Sequence, residues 1–218
     1  MEQITEIAQS IDSYVKIPEE TDFLVEHARN AKCGIIEVGC WTGRSSLFLA
    51  SVARELDITY VAVDTWTSCD LNPGRDFFPE WRDNMERAGL LPGFEMEEGP
   101  IGHGSTTDGE VVVLRMPSIY GARLFDPLVA YHIPPDIFPV ADMLFIDADH
   151  EYLSVLADFA AWTEHILRGG TVVFHDIDQP QAHPGPGKFF EELIRAGYKG
   201  TRRGNIGAVT FEPPKEEG

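Results

Sequence analysis

The chain has 218 residues, 43% of them hydrophobic, which is enough for one well-buried α/β domain and too few for two full-sized ones. Its formal net charge of -19 disfavours nucleic acids and anionic membrane surfaces as partners, because both would repel the protein. We therefore expect a single domain over residues 1–218 whose partner is a small molecule.

The amino-terminal sequence and the cysteines indicate a cytoplasmic protein. Acidic residues stand where a signal peptide needs basic residues followed by an apolar core, and no apolar run reaches membrane-spanning length. Cys33, Cys40 and Cys69 are an odd number of cysteines without the spacing of a disulfide framework or a CxxC motif. We expect reduced thiols, and a homo-oligomer is compatible with these features.

Two segments open the chain. Residues 1–32 carry apolar residues at helical spacing on both sides of Pro18 and predict a helical cover over the sheet. The domain core is expected over residues 34–211 and begins with GIIEVGCWTGRSS at residues 34–46. The apolar run, the glycine pair and the apolar-periodic segment that follows predict a strand, a tight turn and a helix.

The glycine turn indicates the kind of ligand. Gly39 and Gly43 would let the backbone approach a ligand, because a Cβ at either position would occupy the space that the ligand needs. The pattern E-x-G-x-x-x-G lacks one glycine of the dinucleotide fingerprint and carries Glu37. A pyrophosphate disfavours a nearby carboxylate, whereas a ligand with an ammonium or sulfonium group tolerates one. The turn therefore favours an amino-acid nucleoside over a nicotinamide dinucleotide.

Asp64 follows the next apolar run, residues 60–63. A strand, helix and strand of this length predict a right-handed crossover and a parallel sheet. An acid at this position of a nucleotide-binding unit reaches ribose hydroxyls, although a solvated strand-end aspartate is the plainer alternative. Residues 65–80 are polar but carry Trp66 and two phenylalanines, and predict either a lid or substrate wall or an ordinary surface loop.

The remaining segments complete the predicted fold. A glycine-rich span, residues 99–109, is expected to be a hairpin tip or a mobile loop, and residues 117–139 combine a helical piece with a proline-rich connection. Further strands are predicted at residues 111–114, 142–146, 171–174, 198–203 and 206–211. We expect a Rossmann-like, doubly wound α/β fold with a mostly parallel seven-stranded sheet, an antiparallel carboxy-terminal hairpin and helices on both faces.

Polar clusters follow four of the predicted strands. They are residues 39–43, Asp64, residues 147–150 and residues 175–178. Ligands bind at the carboxyl edge of an open parallel sheet, so four such strand ends favour a binding site over scattered surface charge.

Several of these motifs together resemble the class I S-adenosylmethionine-dependent methyltransferases. They are EVGCWTG at residues 37–43, VAVDTW ending at Trp66, FIDADH ending at His150 and LRGGTVVFHD ending at Asp176. The chain looks most like the metal-assisted O-methyltransferases of the catechol and caffeoyl-coenzyme A type and the macrocin-type and cephalosporin-biosynthesis group, which acts on sugars and antibiotics.

The resemblance implies where S-adenosylmethionine binds. In the family the glycine turn holds the methionine part, the acid that matches Asp64 holds the ribose, and the residues after the strand at 111–114 lie beside the adenine. The implied cofactor-binding residues are Glu37, Gly39, Cys40, Trp41, Gly43, Ser45, Asp64, Thr65, Trp66, Met116, Ser118 and Asp147.

The resemblance also implies a divalent metal held by Asp147, His175 and Asp176. Relatives usually carry two oxygen ligands in the pair that His175 and Asp176 match. Imidazole is a poor ligand for Mg²⁺ and a good one for softer ions, so Asp178 or water could instead complete a site for a hard ion. Alternatively, Asp147 and Asp176 serve substrate and cofactor without a metal.

His150 is the candidate general base and forms the predicted catalytic pair with Asp147. Imidazole titrates near neutrality, and the macrocin-type relatives place a base at this position. His183 and His175 are alternatives for the role, and a helix-capping histidine is the plainer interpretation of His150.

The predicted function is S-adenosylmethionine-dependent methylation of a hydroxyl group on a sugar, antibiotic or phenolic compound. A nicotinamide-dependent oxidoreductase and a non-catalytic cofactor-binding domain are the alternatives.

Overall fold

The structure is a computed structural model that describes residues 1–67, 74–91, 93–96, 101–106, 109–123 and 141–212. Cys69, the middle of the predicted lid at 65–80 and the proline-rich connection before residue 141 lie outside these residues. Among the described residues, no helix is both long enough and apolar enough to cross a membrane.

Nine strands form one sheet in the described part of the chain, in the order β3-β4-β5-β2-β1-β6-β7-β9-β8. In chain order they are β1 Gly34–Val38, β2 Thr59–Asp64, β3 Glu95–Met96, β4 Ile101–Thr106, β5 Gly109–Arg115, β6 Ala141–Ile146, β7 Ile166–Phe174, β8 Gly200–Arg203 and β9 Ile206–Thr210. The five strands β5, β2, β1, β6 and β7 run parallel, and the other four add antiparallel pairs at the two sides.

Helices cover both faces of the sheet. They are α1 Glu2–Gln9, α2 Glu19–Ala28, α3 Arg44–Leu56, α4 Phe78–Arg87, α5 at residues 118–123, α6 Tyr152–Trp162 and α7 Pro184–Arg195. Ile35 packs with side chains of α1 to α4, whereas Ile36 packs with those of α6 and α7. Successive strand side chains point to opposite faces, and helices cover both faces, so β1 is buried along its whole length and is apolar except for Glu37.

The sheet differs from the prediction at one side. It has nine strands rather than seven, and antiparallel strands stand at both sides rather than only at the carboxy-terminal hairpin. In the glycine-rich span, expected to be a hairpin tip or mobile loop, residues 101–106 form β4 and pair with β5. A Cβ at Gly102 would overlap the side chains of Met96 and Phe94, so this glycine makes room for packing. The expectation of a hairpin is right in part, because β4 and β5 pair antiparallel from Thr106 and Gly109 onward, but residues 101–106 belong to a strand rather than to the tip.

The other side of the sheet agrees with the sequence. The predicted antiparallel hairpin is confirmed, because β8 and β9 pair across Gly204 and Asn205. Gly204 has a φ of 58°, the left-handed conformation that such a tight connection needs.

Arg44 fixes the amino-terminal segment to the core. Its guanidinium group donates hydrogen bonds to the backbone carbonyls of Ala8, Ser13 and Val15 at 3.1, 2.8 and 2.7 Å, and also to that of Ile11. One cation thus satisfies four carbonyls in and after α1, and the connection to α2 is held against the start of α3.

Backbone hydrogen bonds align the carboxyl ends of four strands. The Gly39 N–H donates to the Val63 carbonyl at 2.9 Å, the Asp147 N–H to Val38 at 2.8 Å, and the His175 N–H to Ile146 at 3.2 Å. The polar clusters that follow these strands consequently lie side by side on one edge.

Gly39 lies at the tightest point of this edge. It has a φ of 92°, and a Cβ there would overlap the Asp147 carbonyl and lie 2.7 Å from the Cα of Ala148. The absence of a side chain therefore allows the glycine turn to contact the backbone that follows β6.

Glu37, near the end of β1, is a fully buried carboxyl group. It accepts hydrogen bonds from the hydroxyl groups of Ser45 at the start of α3 and Tyr60 on β2. Burial raises the pKa of Glu37 to about 7, and these hydroxyl groups offset only part of the effect. The residue joins β1, β2 and α3 beneath the turn.

Replacing Glu37 with glutamine tests this buried carboxyl group. A pKa raised from 4.5 to about 7 on folding means that the folded state holds the proton more tightly, so this stabilisation is complete below pH 4.5 and is lost as the pH rises through 7. We expect the parent to lose about 3 kcal/mol of unfolding free energy over this range relative to Glu37→Gln. Urea denaturation at both ends of the range measures the effect, and equal pH dependence in the two proteins would contradict it.

Alanine substitution at two glycines tests the contact at the sheet edge. At Gly89, which has a φ of 67° and open space around it, alanine adds only backbone strain, and we expect a loss of about 1 kcal/mol. At Gly39 the strain is combined with overlap against backbone, and we expect a loss of about 3 kcal/mol or more. Chemical denaturation of both variants gives the comparison. Similar losses of unfolding free energy would contradict the prediction, because they would show that the backbone around Gly39 accommodates a methyl group at little cost.

Candidate functional site

The two glycines of the turn lie against other parts of the protein. Gly39 contacts the backbone after β6, and a Cβ at Gly43, which has a φ of 97°, would lie 3.0 Å from the Trp81 ring. The sequence predicted close approach of the backbone at both positions. The structure shows that the approach serves contacts with Asp147 and α4, a role that does not require a ligand.

Asp64 holds the turn from the end of β2. One carboxylate oxygen accepts hydrogen bonds from the N–H groups of Cys40 at 2.7 Å and Trp41 at 2.9 Å, and the other accepts one from Trp66 at 2.7 Å. A carboxylate offers about four lone-pair positions, so about one remains for a ligand hydroxyl. Asp64 is half-buried, so part of its surface remains accessible to solvent.

Two tryptophans beside the turn adopt the left-handed backbone conformation, with φ values of 43° for Trp41 and 51° for Trp66. Trp66 is buried, with its ring 5.1 Å from that of Trp81, so its side chain packs inward. Trp41 is half-buried and stacks on Tyr14 with ring centres 5.7 Å apart. Strained backbone of this kind persists where the surroundings hold it, as the bonds from Asp64 do here.

The other predicted cofactor residues differ in accessibility. Cys40, Ser45 and Met116 are buried, whereas Thr65 and Ser118 are half-buried. The Ser118 hydroxyl accepts a hydrogen bond from the Trp162 indole N–H at 2.8 Å. Ser118 is thereby fixed to α6, next to the end of β5.

His175 lies among three carboxylates. Its Nδ1 is 3.2 Å from Asp147 and 3.4 Å from Asp176, and its Nε2 is 3.1 Å from Glu20. Burial by itself would lower the pKa of His175, but these carboxylates outweigh it and raise the pKa to about 12. A buried acid cluster of this size attracts positive charge, whether a proton on His175 or a cation beside it.

His150 and Asp176 form a second pair. The His150 Nε2 is 2.9 Å from one oxygen of Asp176, and the other oxygen accepts hydrogen bonds from the side-chain amides of Gln179 at 2.7 Å and Asn205 at 2.6 Å. Burial raises the pKa of Asp176, but its bonds with His150 and His175 hold the pKa well below its ordinary value. Burial lowers the pKa of His150, and the surrounding aspartates, led by Asp176, give it a net increase.

Among the residues that the structure describes, two groups of side chains could hold a metal ion. Asp147, His175 and Asp176 form one, and His150, Asp176 and His183 form the other, with ligand atoms within 4.8 Å of one another in each group. The rings of His150 and His183 are 3.9 Å apart. Asp178, the alternative ligand for a hard ion, is exposed and lies 3.9 Å from Arg202, so it is outside both groups.

Glu20 is a site residue that the sequence does not reveal. It lies on α2, 155 residues before its partner His175, and three of the four residues from Glu19 to Asp22 are acidic. An acid in the first turn of a helix is ordinary, because it complements the helix dipole. The only sequence signal is that the spacing of α2 places Glu20 on the face that carries Phe23 and Leu24.

Solved structures of methyltransferases share this fold. The O-methyltransferase TomG from Streptomyces achromogenes, involved in tomaymycin synthesis and solved in complex with SAM, is 18% identical, has a TM-score of 0.64, and the match covers 97% of this chain and 90% of that one. MycE methyltransferase from the mycinamycin biosynthetic pathway, in complex with Mg and SAH, is 14% identical with a TM-score of 0.55, over 99% of this chain and 56% of that one.

Sequence comparisons give one distant relative and one family. The uncharacterized protein R132 of Acanthamoeba polyphaga mimivirus is 35% identical over 92 residues, which cover 37% of this chain and 41% of that protein. This chain therefore matches about two fifths of the length of its curated relative. The family described as Methyltransferase domain matches residues 36–177, which is more than half of the chain. The matched segment includes the glycine turn, Asp64, Asp147 and Asp176. The chain belongs to the Methyltransferase domain family.

Proposed function

We propose that the chain transfers the methyl group of S-adenosylmethionine to a hydroxyl oxygen of a small molecule. One observation carries the proposal: the glycine turn and the His150–Asp176 pair share one edge, where Gly39 contacts Asp147. Group transfer to an oxygen needs a cofactor site beside a positioned base. The complexes of TomG with SAM and of MycE with SAH support this choice of cofactor. The nicotinamide alternative has no comparable support.

The residues of the turn fit a cofactor with the shape of S-adenosylmethionine. Its methionine part would lie over residues 39–43, its ribose at the remaining acceptor position of Asp64, and its adenine near Met116 and Ser118. The half-buried Trp41 offers an aromatic face, which attracts a sulfonium group electrostatically. Glu37 contributes from below by fixing the turn, because its carboxyl group is enclosed by Ser45 and Tyr60.

His150 is the proposed general base. S-adenosylmethionine, when bound, supplies a methyl group on a sulfonium that an acceptor oxygen displaces in line. Asp176 accepts the proton of one ring nitrogen of His150, so the other ring nitrogen can receive the proton of the acceptor hydroxyl. Gln179 and Asn205 hold the second oxygen of Asp176 and thereby set the orientation of the pair.

A divalent cation is the proposed second component, held by Asp147, His175 and Asp176. Separations of 3.2 and 3.4 Å between Nδ1 of His175 and the two aspartates suit ligands on one ion, since two donors about 2.1 Å from a metal at a right angle lie about 3 Å apart. The magnesium of the MycE complex supports a metal in this fold. A cation there, when bound, would polarise the acceptor oxygen.

The acceptor is proposed to be a hydroxyl group of a sugar, an antibiotic or a phenolic compound. TomG is involved in tomaymycin synthesis and MycE belongs to the mycinamycin pathway, and both support a natural product. Screening such compounds by mass spectrometry for the gain of one CH₂ group would identify the acceptor.

Calorimetry with S-adenosylhomocysteine and NADH tests the cofactor. We expect S-adenosylhomocysteine to bind and NADH to give no heat. Asp64→Asn should weaken S-adenosylhomocysteine binding about tenfold or more, since a hydrogen bond to a charged group contributes about 1.5–3 kcal/mol. Asp57→Asn, an exposed change at the end of α3, is the matched control and should bind as the parent does. Binding of NADH without S-adenosylhomocysteine would contradict the proposal.

His150→Ala tests the base. Without its imidazole, turnover should fall by a factor of about 10² or more, because proton removal in the transition state typically contributes that much. Binding of S-adenosylhomocysteine should be unchanged. His27→Ala, at a half-buried histidine on α2, controls for loss of an imidazole elsewhere. Steady-state kinetics with the identified acceptor gives the comparison, and full turnover by His150→Ala would exclude His150 as the base.

A further inference from the structure

Glu20 differs from the other acids of its helix. Glu19, Asp22 and Glu26 are exposed on α2, whereas Glu20 is fully buried. A carboxylate is not buried without cost unless a specific partner compensates it. One carboxylate oxygen of Glu20 accepts a hydrogen bond from the Lys16 backbone N–H at 2.7 Å and lies 3.1 Å from the His175 Nε2, and the other oxygen lies 3.9 Å from the largely exposed Lys16 ammonium.

His175 therefore receives a different neighbour at each ring nitrogen. Glu20 faces Nε2, and Asp147 and Asp176 face Nδ1. An imidazole that donates its Nε2 proton to a carboxylate can present a lone pair at Nδ1, and the hydrogen bond also makes that nitrogen a stronger ligand.

We propose that Glu20 is a positioning residue that orients His175, so that Nδ1 binds a borderline divalent cation shared with Asp147 and Asp176. This inference rests on the cation in the proposed function and extends the site to the amino-terminal helices. One imidazole nitrogen and two carboxylates favour ions such as Co²⁺ or Zn²⁺ over Mg²⁺ and Ca²⁺, which prefer oxygen ligands throughout.

Burial supports a positioning role rather than direct ligation for Glu20. The His175 ring lies between Glu20 and the two aspartates, so the acid reaches the proposed ion only through the imidazole. His175 is also fully enclosed, with a side chain 1% exposed, which prevents the ring from turning to another partner. The orientation of Nδ1 consequently depends on the bond at Nε2.

Titration of the 218-residue chain with Co²⁺ alone, followed by visible absorption and calorimetry, tests the inference. The parent should bind Co²⁺ more tightly than it binds Mg²⁺. Glu20→Gln should weaken Co²⁺ binding about 10- to 100-fold, the range typical of partners that orient a metal-bound histidine. Glu26→Gln, an exposed change on the same helix, should bind as the parent does. Co²⁺ binding by Glu20→Gln equal to that of the parent would overturn the inference.

Two further measurements keep the test decisive. If Glu20→Gln does not fold, nitrogen NMR of the Zn²⁺-loaded parent should show His175 with a proton on Nε2 and none on Nδ1; a ring protonated at both nitrogens would overturn the inference. S-adenosylhomocysteine binding should be equal in the parent and Glu20→Gln. If the parent binds S-adenosylhomocysteine but neither Co²⁺ nor Zn²⁺, the inference is overturned and the proposed cofactor is not. If the parent binds no S-adenosylhomocysteine, the proposed function is contradicted.

Discussion

The close contact between Gly39 and the backbone of Asp147 is the constraint on which the site depends. It joins the glycine turn after β1 to the acids after β6, and hydrogen bonds between neighbouring strand ends extend the same alignment to β2 and β7. A side chain at Gly39 would separate the turn from the carboxylate and imidazole groups. The proposed cofactor site and the proposed base are thus adjacent because one residue has no Cβ.

The sequence predicted the centre of the sheet well and one side poorly. The strands that contain Ile35, Val61 and Leu144 are covered on both faces, so their residues are mostly apolar and easily recognised. The strand β4 was missed because three of the residues from Gly102 to Thr106 are glycine or serine, so its composition is that of a turn, although its backbone pairs with both β3 and β5. Backbone pairing of this kind leaves no apolar alternation for the sequence to show.

The sequence predicts candidate site residues, but it does not predict which of their atoms are already bonded within the protein. Glu37 and Asp64 were both expected to contact the ligand, yet Glu37 is enclosed by two hydroxyl groups and Asp64 already accepts three backbone N–H groups. Spacing along a sequence places a carboxylate at a strand end. It does not reveal which neighbours consume the lone pairs, because these neighbours come from other strands and helices.

The burial of Glu20 and the burial of His175 depend on each other, because the two side chains are hydrogen-bond partners. An aspartate at position 175 would face the buried Glu20 with a second negative charge, and the largely exposed Lys16 ammonium, 3.9 Å from Glu20, would offset little of this repulsion. An imidazole removes this repulsion, because it donates to Glu20 with one nitrogen and serves Asp147 and Asp176 with the other. The buried histidine is therefore compensated by an acid in the amino-terminal helices, and a change at either position alone removes one partner of a buried group.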